Sequence, residues 1–420
     1  MSFSYTPRLG RRLIAILFAT QSLASAGLIA TFTVNPIVGA RLSGNEALAG
    51  LPGTLLQIGA ALAAYPMGRL MQRSGRRIGL SLGFFLGTIG MLIAGLAIAT
   101  ASFPIFLLGL AFMGASRGAI EQGRYAAADA LPISQRARAI STIVFASTIG
   151  AVVGPGLVEP LGNLVAGYGL NPLAGPMFGG STLLLIGAFI LVFFLRPDPR
   201  DIARFLNEQE PEATRIATDG PVRTLGEIIR QPGIQLAVVA MIFGQVVMVL
   251  VMTVTSLHMD HHNHGLGDIG LVLSAHTLGM FGLSFFTGFV ADRIGRPATI
   301  GIGAVVLVIG SLSAPLSVQT PWLALALFLV GWGWNLCYIG GSSLLADTLA
   351  PSERGQYQGM SELVVNLSAA SSSLGSGFIM AAFGYGILCI LGAALALLPL
   401  VLLGVQLPIW QRRAAQELRP

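Results

Sequence analysis

The sequence of 420 residues contains no lysine, and all 24 of its basic residues are arginine. Charged residues make up only 10% of the chain, and there are two cysteines. So few charges cannot cover the surface of a soluble globule of this size. Cys337 and Cys389 lack the spacing of a redox or zinc motif, and we expect both thiols to be buried packing groups.

Several common functional motifs are also missing. There is no G-x4-G-K-[ST] sequence, so ATP binding at a P-loop is not expected. No catalytic constellation and no nucleic-acid-binding motif is visible, although the isoelectric point is near 9.9. The sequence therefore predicts neither an enzyme, nor an ATP-driven pump, nor a nucleic-acid-binding protein.

The chain is instead rich in long apolar runs. Hydrophobic residues make up 54% of it, and the mean hydropathy is +0.77. A helix needs about 20 apolar residues to cross a bilayer, and the two-residue period of membrane barrel strands is absent. We predict an all-α integral membrane protein with twelve transmembrane helices, at residues 12–36, 47–68, 78–99, 102–125, 139–162, 176–195, 233–257, 268–290, 298–316, 322–345, 358–382 and 386–407.

The arginines predict the orientation of these helices. With an intracellular amino terminus, 21 of the 24 arginines lie in the termini or in predicted cytoplasmic connections, and the exceptions are Arg41, Arg117 and Arg124. The positive-inside rule then places both termini in the cytoplasm. The first apolar run begins like a signal peptide, but it continues to Pro36, so we expect an uncleaved first helix.

Two segments of the sequence occur twice. Residues 68–77 (GRLMQRSGRR) are echoed by residues 288–297 (GFVADRIGRP) at an offset of 220, and residues 128–132 (ADALP) are echoed by residues 346–351 (ADTLAP) at an offset near 218. Two echoes at nearly one offset indicate duplicated six-helix halves. We predict an N-terminal bundle at 1–195, a cytoplasmic linker at 196–231 and a C-terminal bundle at 232–420.

The G-x3-D-R-x-G-R sequence at residues 288–296, its first copy with Gln72 in place of the aspartate, and the 6+6 layout resemble the major facilitator superfamily over the whole chain. The resemblance implies two six-helix bundles and secondary transport by alternating access. It also implies that the loop after the eighth span is a cytoplasmic conformational latch, formed by Gly288, Asp292, Arg293, Gly295 and Arg296.

All five histidines lie within 19 residues, from His258 to His276. The flanking spans contain Met248 with Met252 and His276 with Met280, each pair at i and i+4 and hence on one helical face. Thioether sulfur suits copper(I), and imidazole binds copper in either oxidation state. We predict a copper site at these four residues. An outer capture region, with pH sensing or solubility as its alternative role, would comprise His258, Met259, His261, His262 and His264.

The same four residues are similar to the M-x3-M and H-x3-M motifs of the copper importers of the superfamily, the CcoA-type transporters. That resemblance implies copper import across the bacterial inner membrane for the assembly of haem-copper oxidase of the cbb3 type. Copper is then the transported substrate, and no prosthetic group is expected. The expected partners are the lipid bilayer and periplasmic or cytoplasmic copper chaperones, and the expected carrier is a monomer. Methionine in a membrane helix is, however, usually packing material.

A carrier of an organic solute, such as a drug or the vitamin riboflavin, is the alternative. Polar and aromatic groups inside the predicted spans would then line the cavity: Arg117, Glu121, Trp332, Trp334, Asn335 and Glu362. A buried cysteine thiol could also accept copper(I) during passage. The sequence leaves both classes of substrate open.

Two further features of the spans have two interpretations each. Arg117, Glu121 and Arg124 share one helical face of the fourth span, and they either pair with one another or use Glu121 for proton coupling. Residues 150–156 (GAVVGPG) of the fifth span resemble the glycine-proline signature of drug/proton antiporters. Their small side chains equally predict close helix packing.

Overall fold

The computed structural model describes residues 6–132, 135–209, 224–349 and 351–417. Within these residues the structure is helical and contains no β-strand. A bilayer offers no water to the backbone, so apolar segments satisfy their N–H and C=O groups within a helix. The predicted all-α fold class is confirmed.

The first half of the chain forms eight α-helices: α1 (Pro7–Ser43), α2 (Leu51–Ser74), α3 (Arg76–Ala99), α4 (Phe103–Ile120), α5 (Gly123–Asp129), α6 (Arg136–Gly156), α7 (Val158–Ala166) and α8 (Gly175–Phe194). The second half begins with two short helices, α9 (Pro199–Gln209) and α10 (Leu225–Ile229). It continues with α11 (Pro232–His261), α12 (Leu266–Thr277), α13 (Ser284–Ile294), α14 (Arg296–Ser313), α15 (Thr320–Thr348) and α16 (Pro351–Glu417).

Nine helical segments of the described chain are long and apolar enough to cross a membrane, and the number rises to eleven if each of two bent helix pairs is one span. Each pair, Thr142–Gly156 with Val158–Ala166 and Leu266–Gly282 with Phe286–Ile294, is bent by 44°. The ninth segment, Met360–Gln406, has 47 residues, about twice the length that a bilayer needs. Its helical conformation is interrupted at Gly384, where φ is 78°. Each of the twelve predicted spans therefore has a helical counterpart.

Two predicted spans differ in detail from the observed helices. The fourth span is not one continuous helix, because α4 ends at Ile120 and α5 begins at Gly123. The seventh span was expected to end at residue 257, but α11 continues to His261. No helix-breaking residue occurs before Asn263, which adopts a left-handed conformation with φ 59°. Most of the predicted histidine loop is therefore the last turn of a helix.

The repeated segments have the same structure in both halves. Gly75 between α2 and α3 has φ 102°, and Gly295 between α13 and α14 has φ 89°, a conformation that favours glycine. The following arginines make equivalent ion pairs, Arg76 with Asp129 at 2.8 Å and Arg296 with Asp347 at 3.2 Å. The duplication read from the sequence is thus preserved in the side-chain contacts.

The described helices pack as two compact units. Unit 1 comprises Met1–Ala217, Thr253–Ser274 and Ser373–Ala382, and unit 2 comprises Thr218–Met252, Ala275–Ser372 and Phe383–Pro420. The division into bundles at residues 195 and 232 stays a prediction.

In unit 1, α1 and α6 approach closely through small residues. A Cβ on Gly150 would lie 2.3 Å from Ser22 O, and a Cβ on Gly154 would lie 2.6 Å from Ala26 O. The Ser25 hydroxyl donates to Ser147 O at 2.6 Å across the same contact. The glycines of the 150–156 segment therefore pack α6 on α1.

In unit 2, the helices α11 and α14 pack on α15. A Cβ on Gly303 would lie 2.7 Å from Leu336 Cβ, and a Cβ on Gly244 would lie 3.1 Å from Cys337 Cβ. Cys337 and Cys389 are both free and buried, as predicted. The Cys337 thiol fills the space between these helices.

Candidate functional site

His276 lies in α12 and is completely buried. Its Nδ1 donates a hydrogen bond to Leu327 O at 2.8 Å, because a carbonyl oxygen can only accept. In the neutral imidazole Nε2 then carries the lone pair. Nε2 is buried and has no hydrogen-bond partner among the described residues. An imidazole fixed through one nitrogen and open at the other has the arrangement of a metal ligand.

Met280 lies in a π-helical turn, Leu278–Gly282, that follows α12. Such turns interrupt the helical hydrogen-bond ladder and are frequent at functional sites. Met280 O accepts a hydrogen bond of 2.6 Å from Asn335 Nδ2, which also donates to Ser284 Oγ at 2.9 Å. Thr287 Oγ1 donates to Asn335 Oδ1 at 2.6 Å. Asn335, a candidate cavity residue from the sequence, is instead buried and holds this turn.

Met248 and Met252, the other two predicted copper ligands, are both buried on α11. The helix α15 is the common neighbour of the two helices that carry the four residues. It contacts α11 at Gly244 and the π turn at Gly331, whose Cβ would lie 3.0 Å from Met280 N. Within the described chain no three His, Cys, Asp or Glu side chains form a metal-binding group, so a site at His276 depends on thioether ligands. Convergence of the four side chains on one ion stays a prediction.

Part of the predicted capture region is helical rather than a loop. His258, Met259 and His261 belong to α11, and Met259 is buried. The rings of His258 and His262 are 4.5 Å apart, and His262 Nδ1 donates to His258 O at 2.8 Å. These groups form a helix end stabilised by its own side chains, and its part in metal capture stays a prediction.

The other polar residues at this helix end contact side chains of opposite or complementary charge. His261 Nε2 lies 3.2 Å from Glu46 Oε1, and His264 Nδ1 lies 3.9 Å from Asp268 Oδ2. Asp260 accepts two hydrogen bonds from Arg41, at 2.7 and 2.8 Å. All of these residues belong to unit 1, where they connect the end of α1 to the end of α11.

Three aromatic rings of unit 2 form a second candidate site. Trp334 and Tyr338 stack with ring centroids 5.0 Å apart and an interplanar angle of 21°. Phe281 meets Trp334 edge to face, with centroids 5.9 Å apart. Trp334 and Tyr338 are i and i+4 on α15, and this spacing places their rings on one face.

Polar groups lie directly beside these rings. Trp334 Nε1 donates to Gln245 Oε1 at 2.7 Å, and the Tyr338 hydroxyl donates to Glu362 Oε1. Gln245, Tyr338 and Glu362 are only partly buried. The amide nitrogen of Gln245 and the second carboxylate oxygen of Glu362 can therefore bind a ligand. The aromatic–carboxylate cluster consists of Gln245, Phe281, Trp334, Tyr338 and Glu362.

The sequence predicted only part of this cluster. Trp334 and Glu362 were candidates, whereas Gln245, Phe281 and Tyr338 were missed. The i, i+4 spacing of Trp334 and Tyr338 was the available signal. Trp332, the other aromatic candidate, has an indole nitrogen that is buried without a hydrogen-bond partner in the described residues.

The charged groups of the fourth span lie on both sides of a helix break. Arg117 Nε and Glu121 Oε1 form an ion pair at 2.8 Å, and the Glu121 side chain is half-exposed. Arg124 lies beyond the helix break, with its guanidinium 5.0 Å from the Tyr125 ring centre. Pairing of all three charges and proton coupling by Glu121 both stay predictions.

The latch residues form a compact cluster in unit 2. Arg296 pairs with Asp292 at 2.6 Å and donates to Ala291 O at 2.6 Å, in addition to its pair with Asp347. The Arg293 guanidinium lies 5.4 Å from the centre of the Phe289 ring. A Cβ on Gly288 would meet open space. Arg296 thus joins the ends of α13, α14 and α15, and a conformational role for this contact stays a prediction.

The sequence profile described as Major Facilitator Superfamily matches residues 17–267 and 236–417, which together cover most of the chain. The chain belongs to the major facilitator superfamily. It is therefore a multi-pass membrane protein and a secondary transporter, and not an enzyme, as predicted.

Two full-length relatives within the superfamily share about a third of their residues with this chain. It is similar to the uncharacterised MFS-type transporter YddS of Bacillus subtilis (strain 168), with 35% identity over 98% of this chain and 93% of the relative. It is also similar to the riboflavin transporter RfnT of Brucella anthropi, with 32% identity over 93% of this chain and 96% of the relative. A bacterial homologue of the human lysosomal transporter Spinster has the same fold, with a TM-score of 0.69, 16% identity and 96% coverage of both chains.

Proposed function

We propose that this superfamily member is a secondary carrier of a planar, hydrogen-bonding organic solute of the flavin class. The observation that carries the proposal is the stacked pair of Trp334 and Tyr338 beside the Glu362 carboxylate. Binding sites for such solutes combine aromatic walls with a few polar groups that fix orientation. The aromatic–carboxylate cluster has both components on the helices of one unit.

Each part of the cluster has a role in this proposal. Trp334 is itself buried and stacks on Tyr338, which is partly buried. A flat heteroaromatic solute would therefore stack on the Tyr338 ring, which Trp334 holds in place. Gln245 and Glu362 hydrogen-bond to the amide and hydroxyl groups of the solute, and such bonds discriminate strongly against analogues that lack these groups. The similarity to the riboflavin transporter RfnT, which extends over 93% of this chain, supports a flavin as the solute.

The proposed location is the bacterial inner membrane, with both termini in the cytoplasm. The distribution of the arginines supports this orientation through the positive-inside rule. Without a P-loop sequence, accumulation of the solute would draw on an ion gradient or on trapping inside the cell.

The experiment is growth of a bacterial strain that neither makes nor imports riboflavin. We expect the wild-type protein to restore growth on micromolar riboflavin and Trp334→Leu to fail, with equal amounts of both proteins in the membrane. Trp322→Leu is the matched control, because Trp322 also lies on α15 but is exposed and bonds only to Ser313 O at 2.8 Å among the described contacts. Failure of the wild type to restore growth, or equal growth with both variants, would overturn the proposal.

Copper is the second candidate substrate, and the observation that favours it is the unpartnered Nε2 of the buried His276. Met248, Met252 and Met280 would supply the thioether ligands that copper(I) prefers. This candidate is tested by measuring copper accumulation in cells with and without the protein. Saturable accumulation that requires the protein supports a copper carrier, and identical accumulation in both cell types eliminates it.

A further inference from the structure

A groove of about 360 Å³ lies between the first turns of α1 and the C-terminal end of α8. Its walls are formed by Arg12, Ile16, Phe193, Phe194 and Arg196. We propose that this groove binds an anionic phospholipid, with the phosphate on the arginines and one acyl chain along the phenylalanines. The site is separate from the aromatic–carboxylate cluster and from His276.

The basic wall carries positive charge that no described carboxylate neutralises. Arg8, Arg12 and Ile16 are spaced i, i+4 and i+8 on α1 and therefore share one face. The Arg12 guanidinium donates to the backbone carbonyl oxygen of Arg196, and both residues line the groove. Neither of them is within ion-pair distance of an acidic side chain in the described part of the chain. Two arginines that line one groove supply the positive charge that attracts a phosphate group.

The acidic residue that follows in the chain does not cancel this charge. Asp198 is already engaged, since it accepts hydrogen bonds of 3.0 Å from the backbone nitrogens of Arg76 and Arg77. Its Oδ1 also accepts from the backbone nitrogen of Arg200 at 2.9 Å. Asp198 thereby caps the start of α3, and the groove keeps its positive sign.

The apolar wall is suited to an acyl chain. Phe193 and Phe194 are 60% and 62% exposed, and they end the apolar run of α8 just before Arg196. Rings at this depth contact lipid tails, whereas arginines two or three residues further along reach the level of the phosphates. Basic pockets between helices at the cytoplasmic side are known to hold anionic headgroups.

These features favour one occupant. A free phosphate ion would use the arginines but leave the two phenylalanines without a partner. A zwitterionic lipid would bring a cationic group close to Arg12 and Arg196, and the repulsion would weaken its binding. The assignment to the inner leaflet rests on the proposed orientation of the protein, whereas the choice of an anionic lipid does not.

The test is native mass spectrometry of the full-length protein with dioleoyl phosphatidylglycerol or dioleoyl phosphatidylcholine. We expect the wild type to retain at least one more molecule of phosphatidylglycerol than of phosphatidylcholine. The double variant Arg12→Gln/Arg196→Gln should lose this excess lipid. Arg69→Gln/Arg230→Gln is the matched control, because it removes the same charge from two exposed arginines outside the groove. This control variant should retain the excess phosphatidylglycerol.

Two further variants keep the test decisive if the glutamine variant does not fold. Arg12→Lys/Arg196→Lys retains the charge and should retain the lipid. Phe193→Ala/Phe194→Ala retains the arginines but should bind phosphatidylglycerol more weakly, because it lacks the apolar wall. If the Arg12/Arg196 and Arg69/Arg230 glutamine variants lose equal amounts of lipid, or if neither loses any, the proposed lipid site is wrong. Thermal unfolding of the protein with sodium phosphate or with phosphatidylglycerol tests the choice of a lipid. Equal stabilisation by the two would overturn that choice.

Discussion

The Tyr338 hydroxyl donates a hydrogen bond to Glu362 Oε1 and joins α15 to α16 within unit 2. The same phenol ring stacks on Trp334. One side chain thus contacts both the aromatic wall of the proposed solute site and its carboxylate. Protonation of Glu362 would change this hydrogen bond, so the charge on Glu362 and the position of the ring are linked.

Glu362 is therefore expected to couple solute movement to protons, in preference to Glu121, which is already paired with Arg117. In proteoliposomes we expect Glu362→Gln to abolish riboflavin accumulation driven by a pH gradient while riboflavin exchange continues. Glu121→Gln should retain at least half of the driven accumulation, because its ion pair is exposed and contributes at most about 1 kcal/mol. Gradient-driven accumulation by Glu362→Gln at the wild-type rate would refute this assignment.

If His276 binds copper, we expect it to do so through Nε2, because Nδ1 already bonds to Leu327 O. Asparagine at this position can keep the hydrogen bond to Leu327 O but offers no imidazole nitrogen, so His276→Asn should lose any copper accumulation and keep riboflavin transport. Met241→Leu is the control for loss of a buried thioether on α11, since leucine and methionine have similar volumes. Wild-type copper accumulation by His276→Asn would show that this histidine only packs.

The contact between α6 and α1 predicts a large difference between two glycines of the same segment. Gly150→Ala should destabilise the protein by about 1–3 kcal/mol through overpacking, because the added Cβ would lie 2.3 Å from Ser22 O. Gly156→Ala should be tolerated, since a Cβ there meets no atom within 4 Å. Thermal unfolding of the two purified variants makes the comparison, and similar melting temperatures would contradict the packing account.

The Arg41–Asp260 pair predicts a charge-dependent contact in unit 1. Its side chains are 55% and 22% exposed, so each single alanine variant should cost no more than about 1 kcal/mol despite the two hydrogen bonds. The loss should shrink in 1 M salt, where charges are strongly screened. The reversed pair Arg41→Asp/Asp260→Arg should recover most of the stability. A double variant no more stable than the singles would show that the two charges do not interact.

The sequence predicted the fold well because the membrane leaves few alternatives. Apolar runs of sufficient length must become helices, and the repeated segments around Gly75 and Gly295 indicated the duplication. Boundaries were less accurate, because a helix ends where local interactions end it. His258 to His261 remain helical, since no breaker occurs before Asn263.

The candidate site was harder to predict, since it depends on tertiary contacts between distant residues. The π turn at Met280 is held by Asn335, 55 residues later in the chain, and neither residue indicates it alone. Likewise, Gln245 and Tyr338 acquire their roles only by contact with Trp334 and Glu362. Four soft residues at matching spacings favoured copper, whereas the proposal of an organic solute draws on the aromatic–carboxylate cluster and on the similarity to one riboflavin transporter.

The most direct measurement is the affinity of the purified protein for riboflavin, followed by quenching of the flavin fluorescence. Trp334→Leu removes the ring that holds Tyr338 in place, and it should weaken binding about tenfold or more, which corresponds to about 1.4 kcal/mol. The Trp322→Leu control should bind like the wild type. Equal affinities of the two variants, or no saturable binding by the wild type, would contradict the proposal that this protein carries a flavin-like solute.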